Sequence, residues 1–483
     1  MTEEKSGAQI SQKAFIQSLV ILLVFMIFAG ILTRIVPAGE FARIEIDGRE
    51  VVDPNSFSYV DAADYPIWRW FTAPVEVLGG EDSLTIIVII LFLPMVGAAF
   101  AVLDKSGILQ AALGNIVKKY GDQKYLLLLI ITLFFMALGA FFGIFEEVVP
   151  LVPIMIALAY SLGWDTLTGL GMSILATNMG FSAAITNPFT IGVAQKLAEL
   201  PLFSGAWFRI IIFIVMYAIL AIFLTSYAKK IEKDPKASPV YEEDQKGKSH
   251  YGKFLVDNLA NSADTTKAIR WIVIFVVFIL ATLFAAPFVE IISFAALPLV
   301  GILFLVGGLG AGFISGTDSK TVWSAAKEGA LGIAPAIPLI LMASSIKFII
   351  AQGQVIDTML HSLANVFTQT SPILAALLVY VLALVIEIFI ASGSAKAFLI
   401  IPIILPLADL VDVTRQVAVT AYCFGDGFSN LAYPTNPVLL IVLGLTVVTY
   451  GKWMKWLLKL WAWVFVATVA FLAIGVLIGY GPF

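Results

Sequence analysis

Glu146, Glu147, Glu387, Lys396 and Asp426 stand near the middles of long apolar stretches of this sequence. A charge at membrane depth is costly, so such residues point to function unless they merely neutralise one another. The acids can bind a cationic substrate group, coordinate a cation or carry a proton. Lys396, with nearby backbone N–H groups, can hold a carboxylate. The competing reading is mutual salt bridging that locks the segments carrying them. Four acids against one lysine suit a cationic or zwitterionic ligand better than a dicarboxylate.

Two clusters of neutral oxygen-bearing residues lie nearby in apolar surroundings. One holds Asn178, Gly180, Ser182, Thr186, Asn187 and Pro188; the other holds Gly425, Asp426, Gly427, Ser429, Asn430, Pro434, Thr435, Asn436 and Pro437. Glycine and proline interrupt a helix and free carbonyls, while Ser, Thr and Asn add neutral ligands suited to dehydrated sodium or to polar substrate groups. The alternative is hydrogen-bonded glue between helices. Ser182, Thr186, Asn187, Ser429, Thr435 and Asn436 are the candidate ion ligands. Glu146, Glu147, Asn178, Asn187, Ser392, Ser394, Lys396, Asp426, Asn430 and Asn436 are the candidate substrate contacts.

Other chemistries are poorly supplied. Cys423 stands alone, and the two histidines fall in a polar linker (His250) and at a membrane edge (His361), which disfavours disulfides, zinc sites and histidine catalysis. An intramembrane aspartyl protease needs a second aspartate beside Asp426, and none stands well inside the apolar segments. Nucleic acid is not a plausible partner. No cofactor is expected, only sodium or a proton as coupling ion.

The elements that must position these residues are membrane helices. Of 483 residues, 60% are hydrophobic and 13% charged, with a mean hydropathy of +0.97, which excludes an ordinary soluble fold. Nine spans are expected: Ala14 to Val36, Leu84 to Leu103, Thr166 to about Ala198, Ala206 to Ala228, Trp271 to Glu290, Ser293 to Phe313, Leu331 to Ile350, Thr414 to about Val447 and Trp456 to Tyr480. No A-x-A cleavage site follows the first, so it reads as a retained span. Residues 125–163 and 371–411 are interrupted near their middles by Glu146-Glu147 and by Ser392-Gly393-Ser394-Ala395-Lys396, and read as re-entrant hairpins. With hairpins not crossing and the N-terminus cytoplasmic, Lys5, Lys13, Lys105, Lys118, Lys119, Lys124, Lys320, Lys327, Lys452, Lys455 and Lys459 all fall inside. Lys196 and Lys347 are exceptions. Residues 39–83 then lie outside, with Pro66 to Phe71 as an interfacial anchor, and residues 229–269 form a charged cytoplasmic linker.

The chain also repeats itself. Gly180-Phe181-Ser182 and Thr186-Asn187-Pro188 recur as Gly427-Phe428-Ser429 and Thr435-Asn436-Pro437, at offsets of 247 and 249 residues. The same offset sets Leu84 on Leu331 and Tyr125 close to Pro372. Five crossings lead from the start of the span at Leu84 to the start of that at Leu331, so the repeats are inverted: residues 1–228 and 270–483, joined by the linker. Inverted repeats with discontinuous helices are a transporter architecture with its site near the midplane. A passive pore would keep the breaks and lack counterflow.

The stretches GMSILATNMGFSAAITNPFTIGVAQ from Gly171 and FGDGFSNLAYPTNP from Phe424, with Val36-Pro37-Ala38-Gly39 and FEEVVPLVP from Phe145, resemble the YfcC family. That family is grouped with C4-dicarboxylate anaerobic carriers and basic amino acid (arginine/ornithine) antiporters in the ion transporter superfamily. The resemblance implies an all-α membrane fold of two inverted repeats, with hairpins entering from opposite faces and a site between tips and broken helices. It also implies a homodimer. Better-understood carriers of the superfamily have Ser-Asn-Thr-type tips. Here the tips are Glu146-Glu147 and Ser392-Gly393-Ser394, which argues against a dicarboxylate. The expectation is therefore an inner-membrane secondary transporter of amino acids, basic ones by exchange, with a sodium-coupled C4-dicarboxylate or short-chain carboxylate carrier as the alternative.

Overall fold

The computed structural model describes residues 12–46, 49–53, 55–61, 65–80, 82–245, 263–285, 289–367 and 370–481. Lys5 and His250 lie outside them. The fold is helical, and its only strands among the described residues form two small ribbons, Gly39–Glu40 with Ser58–Tyr59 and Arg43–Ile46 with Arg49–Val52. Helices dominate because lipid offers no hydrogen-bond partner, so each backbone must pair within itself.

Nine described helical stretches are long and apolar enough to cross a membrane, the number expected but not the same set. The broken span beginning at Thr166 drops out because its continuous part, Thr166 to Ala183, carries too many polar residues, and the one beginning at Thr414 because its longest helix, Arg415–Ser429, has 15 residues. In exchange, Ile108–Phe142 and Gly393–Leu410 qualify, each including a hairpin limb. The span expected from Leu331 starts earlier, as helix Ser319–Ile333 bends at Ala334-Pro335 into Ala336–Gln352. Residues 206–233 form one helix, five residues longer than the expected span, and the next begins at Ala263 rather than Trp271.

The two hairpins and two broken helices form the centre. Hairpin 1 runs through Lys124–Ala137, a π-helical turn Leu138–Phe142, a tip at Gly143 to Phe145, a tight turn Glu146–Leu151 and the return Val152–Ser161. Hairpin 2 is Pro372–Glu387, a tip, and Gly393–Leu410. Broken helix 1 runs from Thr166 to Ala183, stops, and resumes at Pro188–Gly192 and Val193–Leu197. Broken helix 2 is Arg415–Ser429 and Pro437–Gly444.

Glycine lets these elements approach. A Cβ on Gly180 would collide with the Met136 carbonyl of hairpin 1, and one on Gly425 would lie 2.5 Å from Ala383 Cβ of hairpin 2. Met136 and Ala383 are themselves 247 residues apart. The broken helices meet each other where Gly427 faces Ser182, whose Oγ lies 2.5 Å from the position of a Cβ.

Polar segments dock rather than trail. Asp357 accepts from Phe41 N and pairs with Arg43 at 2.9 Å, and His361 stacks on Phe57 with centroids 4.0 Å apart, fastening the ribbons to helix Ile356–Phe367. Trp70 is buried against Gly30, so the expected anchor is only partly one; Ile67, Trp68 and Phe71 stay exposed. Lys347 pairs with Asp82 at 2.5 Å, so its charge is answered locally. The first part of the expected linker also packs down: Val240 and Asp244 are wholly buried.

Candidate functional site

The repeated Thr-Asn-Pro motif starts a half-helix. Asn187 Oδ1 accepts from Phe189 N and Asn436 Oδ1 from Val438 N, both at 2.9 Å, with proline at the first helical position. An Asn N-cap satisfies an orphan N–H, and proline lacks the one that would be wasted there. The carboxamides are thus partly committed: Asn436 Nδ2 also donates to Asn430 Oδ1 at 2.9 Å. Ser182 and Ser429 donate to carbonyls four residues back, Asn178 at 2.8 Å and Gly425 at 2.6 Å. Thr186 ties the first break to hairpin 1, its N donating to Ala140 O at 3.0 Å and its Oγ1 to Phe141 O at 2.9 Å. At the breaks, Asn178 Oδ1, Thr190 Oγ1 and Thr435 Oγ1 are buried without a hydrogen-bond partner.

Each break also needs partners for its freed carbonyls, and the helix that follows supplies them. Arg209, buried on helix Ala206–Lys233, donates to Ile185 O at 3.1 and 3.2 Å, to Phe203 O at 3.1 Å, to Ser204 O at 2.9 Å and to Tyr480 Oη at 3.1 Å. In the second repeat Trp453 Nε1 donates to Leu431 O at 2.7 Å and Tyr450 Oη to Ala432 O at 2.6 Å. Sequence reasoning overlooked all three. Arg209 was detectable as a cation inside an apolar span; the aromatics carried no signal, since Trp and Tyr are ordinary near helix ends.

The charged residues gather across the repeats. Lys396 is ion-paired with Glu387 of its own hairpin and lies 2.7 Å from Asp426 Oδ1 on broken helix 2, all three wholly buried. Hairpin 2's tip flanks them: Ser392 caps the outgoing limb at Ala395 N, 3.5 Å away, Ser394 is half-buried, and the Tyr422 hydroxyl donates to the Gly393 carbonyl. From the other repeat comes Glu146, close enough for its charge to repel that of Asp426 as well as that of Glu147. Glu146 is exposed and Glu147 half-buried, with one Glu147 oxygen accepting from Phe145 N at 3.2 Å. The tips also pack crosswise, Glu146–Leu151 against Pro437–Gly444 and Gly393–Leu410 against Pro188–Leu197. Glu387, Lys396 and Asp426 thus form one buried charge cluster, with Glu146 of the other repeat within electrostatic reach of it.

A family model for the C4-dicarboxylate anaerobic carrier matches residues 15–477. The chain belongs to the C4-dicarboxylate anaerobic carrier family. YfcC of Escherichia coli K12, whose name proposes a basic amino acid antiporter, is 30% identical over 474 residues, covering 91% of this chain and 92% of YfcC. A Haemophilus influenzae protein without an assigned function is 25% identical over 385 residues, 79% of this chain and 74% of its own. The YdaH transporter of Alcanivorax borkumensis has a TM-score of 0.40 at 16% identity, covering 97% of this chain and 100% of YdaH. MtrF of Neisseria gonorrhoeae, from a class of antimetabolite efflux pumps, has 0.43 at 17%, covering 95% and 94%. The two structural likenesses are distant, and the assignment rests on the sequence matches. This member of the carrier family is a multi-pass membrane transporter, not an enzyme.

Proposed function

We propose that this carrier exchanges basic amino acids across the inner membrane by alternating access, with its N-terminus cytoplasmic. The observation that carries the reading is the charge of the site: Glu387 and Asp426 share the single cation Lys396, and Glu146 of the other repeat is within electrostatic reach of Asp426. Unneutralised carboxylates at membrane depth favour a cationic guest, and Glu146 is the one that solvent reaches. The name of the Escherichia coli relative supports the same class. Asn178 Oδ1 and Thr435 Oγ1, buried and open, are the oxygens we assign to a coupling sodium if the cycle uses one; a proton on the acids is the other option.

The test is counterflow of labelled arginine into proteoliposomes loaded with ornithine. Glu146→Gln is expected to lower the rate at least about tenfold, the effect of losing roughly 1.4 kcal/mol of substrate interaction, while the protein stays folded. Wild-type rates in both Glu146→Gln and Glu147→Gln would end the assignment. The family description favours a second reading, a sodium-coupled C4-dicarboxylate or short-chain carboxylate carrier. In that reading Lys396 must leave its two carboxylates to bind an anion, and succinate rather than arginine would drive counterflow.

A further inference from the structure

We infer that Glu387 and Asp426 form a cation subsite whose resident occupant is the Lys396 ammonium, so that a cationic substrate group binds by displacing a side chain the carrier itself supplies. The identity of the incoming group rests on the proposed exchange of basic amino acids; the subsite itself does not.

Two buried cations in this protein differ in how they are held. The Arg209 guanidinium donates to four oxygen acceptors in directional hydrogen bonds, which fix it in place. Lys396 Nζ sits within ion-pair distance of Glu387 and 2.7 Å from Asp426 Oδ1, and these two carboxylates are its partners among the described residues. Lys396 is thus held by two carboxylates, where Arg209 is tied to backbone carbonyls. An ammonium is a compact point charge on a flexible stem, suited to leaving and returning.

The placement of the three residues fits an exchangeable occupant. Glu387 and Lys396 stand on either side of the hairpin 2 tip, and Asp426 lies on broken helix 2, so the pair Lys396–Asp426 bridges two elements. The tip is thin at that point: a Cβ on Gly393 would lie 2.9 Å from Asp426 Oδ2. Ser392 and Ala395 beside it are exposed, as is Glu146, whose charge is felt at Asp426. A cation drawn to Glu146 is already within electrostatic reach of Asp426, one of the acids that Lys396 occupies. Until it arrives, Lys396 offsets one of their two charges and holds the tip against the broken helix.

Wild type, Lys396→Ala and the charge-balanced Glu387→Gln/Lys396→Ala are compared after purification, using propylammonium as a free stand-in for the lysine head. Propylammonium at millimolar concentration is expected to raise the Tm of both variants and leave wild type unmoved, because only the vacated subsite binds it. Arginine and agmatine, which lacks the carboxylate, are both expected to bind Lys396→Ala about tenfold more tightly, as when an internal competitor holding roughly nine-tenths of the molecules is removed. Weaker arginine binding with agmatine unchanged would make Lys396 a carboxylate anchor and overturn the inference. No propylammonium response in either variant would overturn it too. If Lys396→Ala does not fold, the double variant, which keeps one acid and the same net charge, carries both readouts. A propylammonium response without binding of arginine or agmatine by any protein would uphold the subsite and remove the proposed substrate.

Discussion

At the scale of single residues, the largest unlooked-for contribution is that of Arg209. Four of its five hydrogen bonds satisfy carbonyls at 185, 203 and 204 that the first break and the following turn leave open, and the fifth goes to Tyr480 Oη. Arg209→Met strands several buried acceptors at once, and since a hydrogen bond to a charged group contributes about 1.5–3 kcal/mol, a loss of about 3 kcal/mol or more is expected. Thermal unfolding of the purified protein measures it. Arg209→Lys should recover only part, because one ammonium cannot span acceptors that a planar fork reaches together. The acids and Lys396 could be picked out in the sequence because a charge in an apolar run is conspicuous. That Lys396 pairs with Glu387 and Asp426 could not, since the partners are 9 and 30 residues away and their meeting depends on how hairpin 2 lies against the broken helix.

At the scale of elements, small residues set how closely the hairpins seat on the broken helices. Gly180 has no room for a Cβ against the Met136 carbonyl, whereas a Cβ on Gly192 would make ordinary contacts at 3.5 Å or more. Gly180→Ala is therefore expected to push the two elements apart at a cost of about 3 kcal/mol, the upper range for overpacking. Gly192→Ala should be close to neutral. Paired Tm measurements decide the point, and equal effects would refute the close crossing. The breaks themselves were readable as matched Gly, Asn and Pro clusters. Their motif reads as ion ligands in the sequence; in the structure Asn187 and Asn436 are caps, while Asn178, Thr190 and Thr435 keep buried open acceptors.

At the scale of the whole molecule, the docked end of the linker touches both halves. Glu243 pairs with Lys452 of helix Tyr450–Leu477 at 2.5 Å, while Asp244 next to it accepts from Thr166 N at 2.8 Å, Thr166 Oγ1 at 2.6 Å and Tyr160 Oη at 2.9 Å. Burial, with Asp165 nearby, pushes the Asp244 carboxyl from its ordinary 3.8 up to about 6, against the pull of its hydrogen bonds. A carboxyl whose folded value is raised gives stability that is fully present below the unfolded value and is lost as pH rises through the folded one. Wild type should therefore gain about 1 kcal/mol from this group between pH 7 and pH 5. Asp244→Asn removes that gain, so the difference in Tm between the two proteins should change over this interval. A constant difference would show that Asp244 does not titrate there.

Hydropathy and the internal offset determined that the chain is a membrane protein of two repeats, with hairpins and broken helices in corresponding places. That information is local and periodic: an apolar run needs the length of a bilayer, and a helix stops where glycine, asparagine and proline make it stop. Tertiary structure alone decided which polar groups answer which. It set Arg209 on the first break, Trp453 and Tyr450 on the second, and Lys396 between two acids, because these partners come from different elements. Their pairing is fixed by packing, in which position along the chain counts for little.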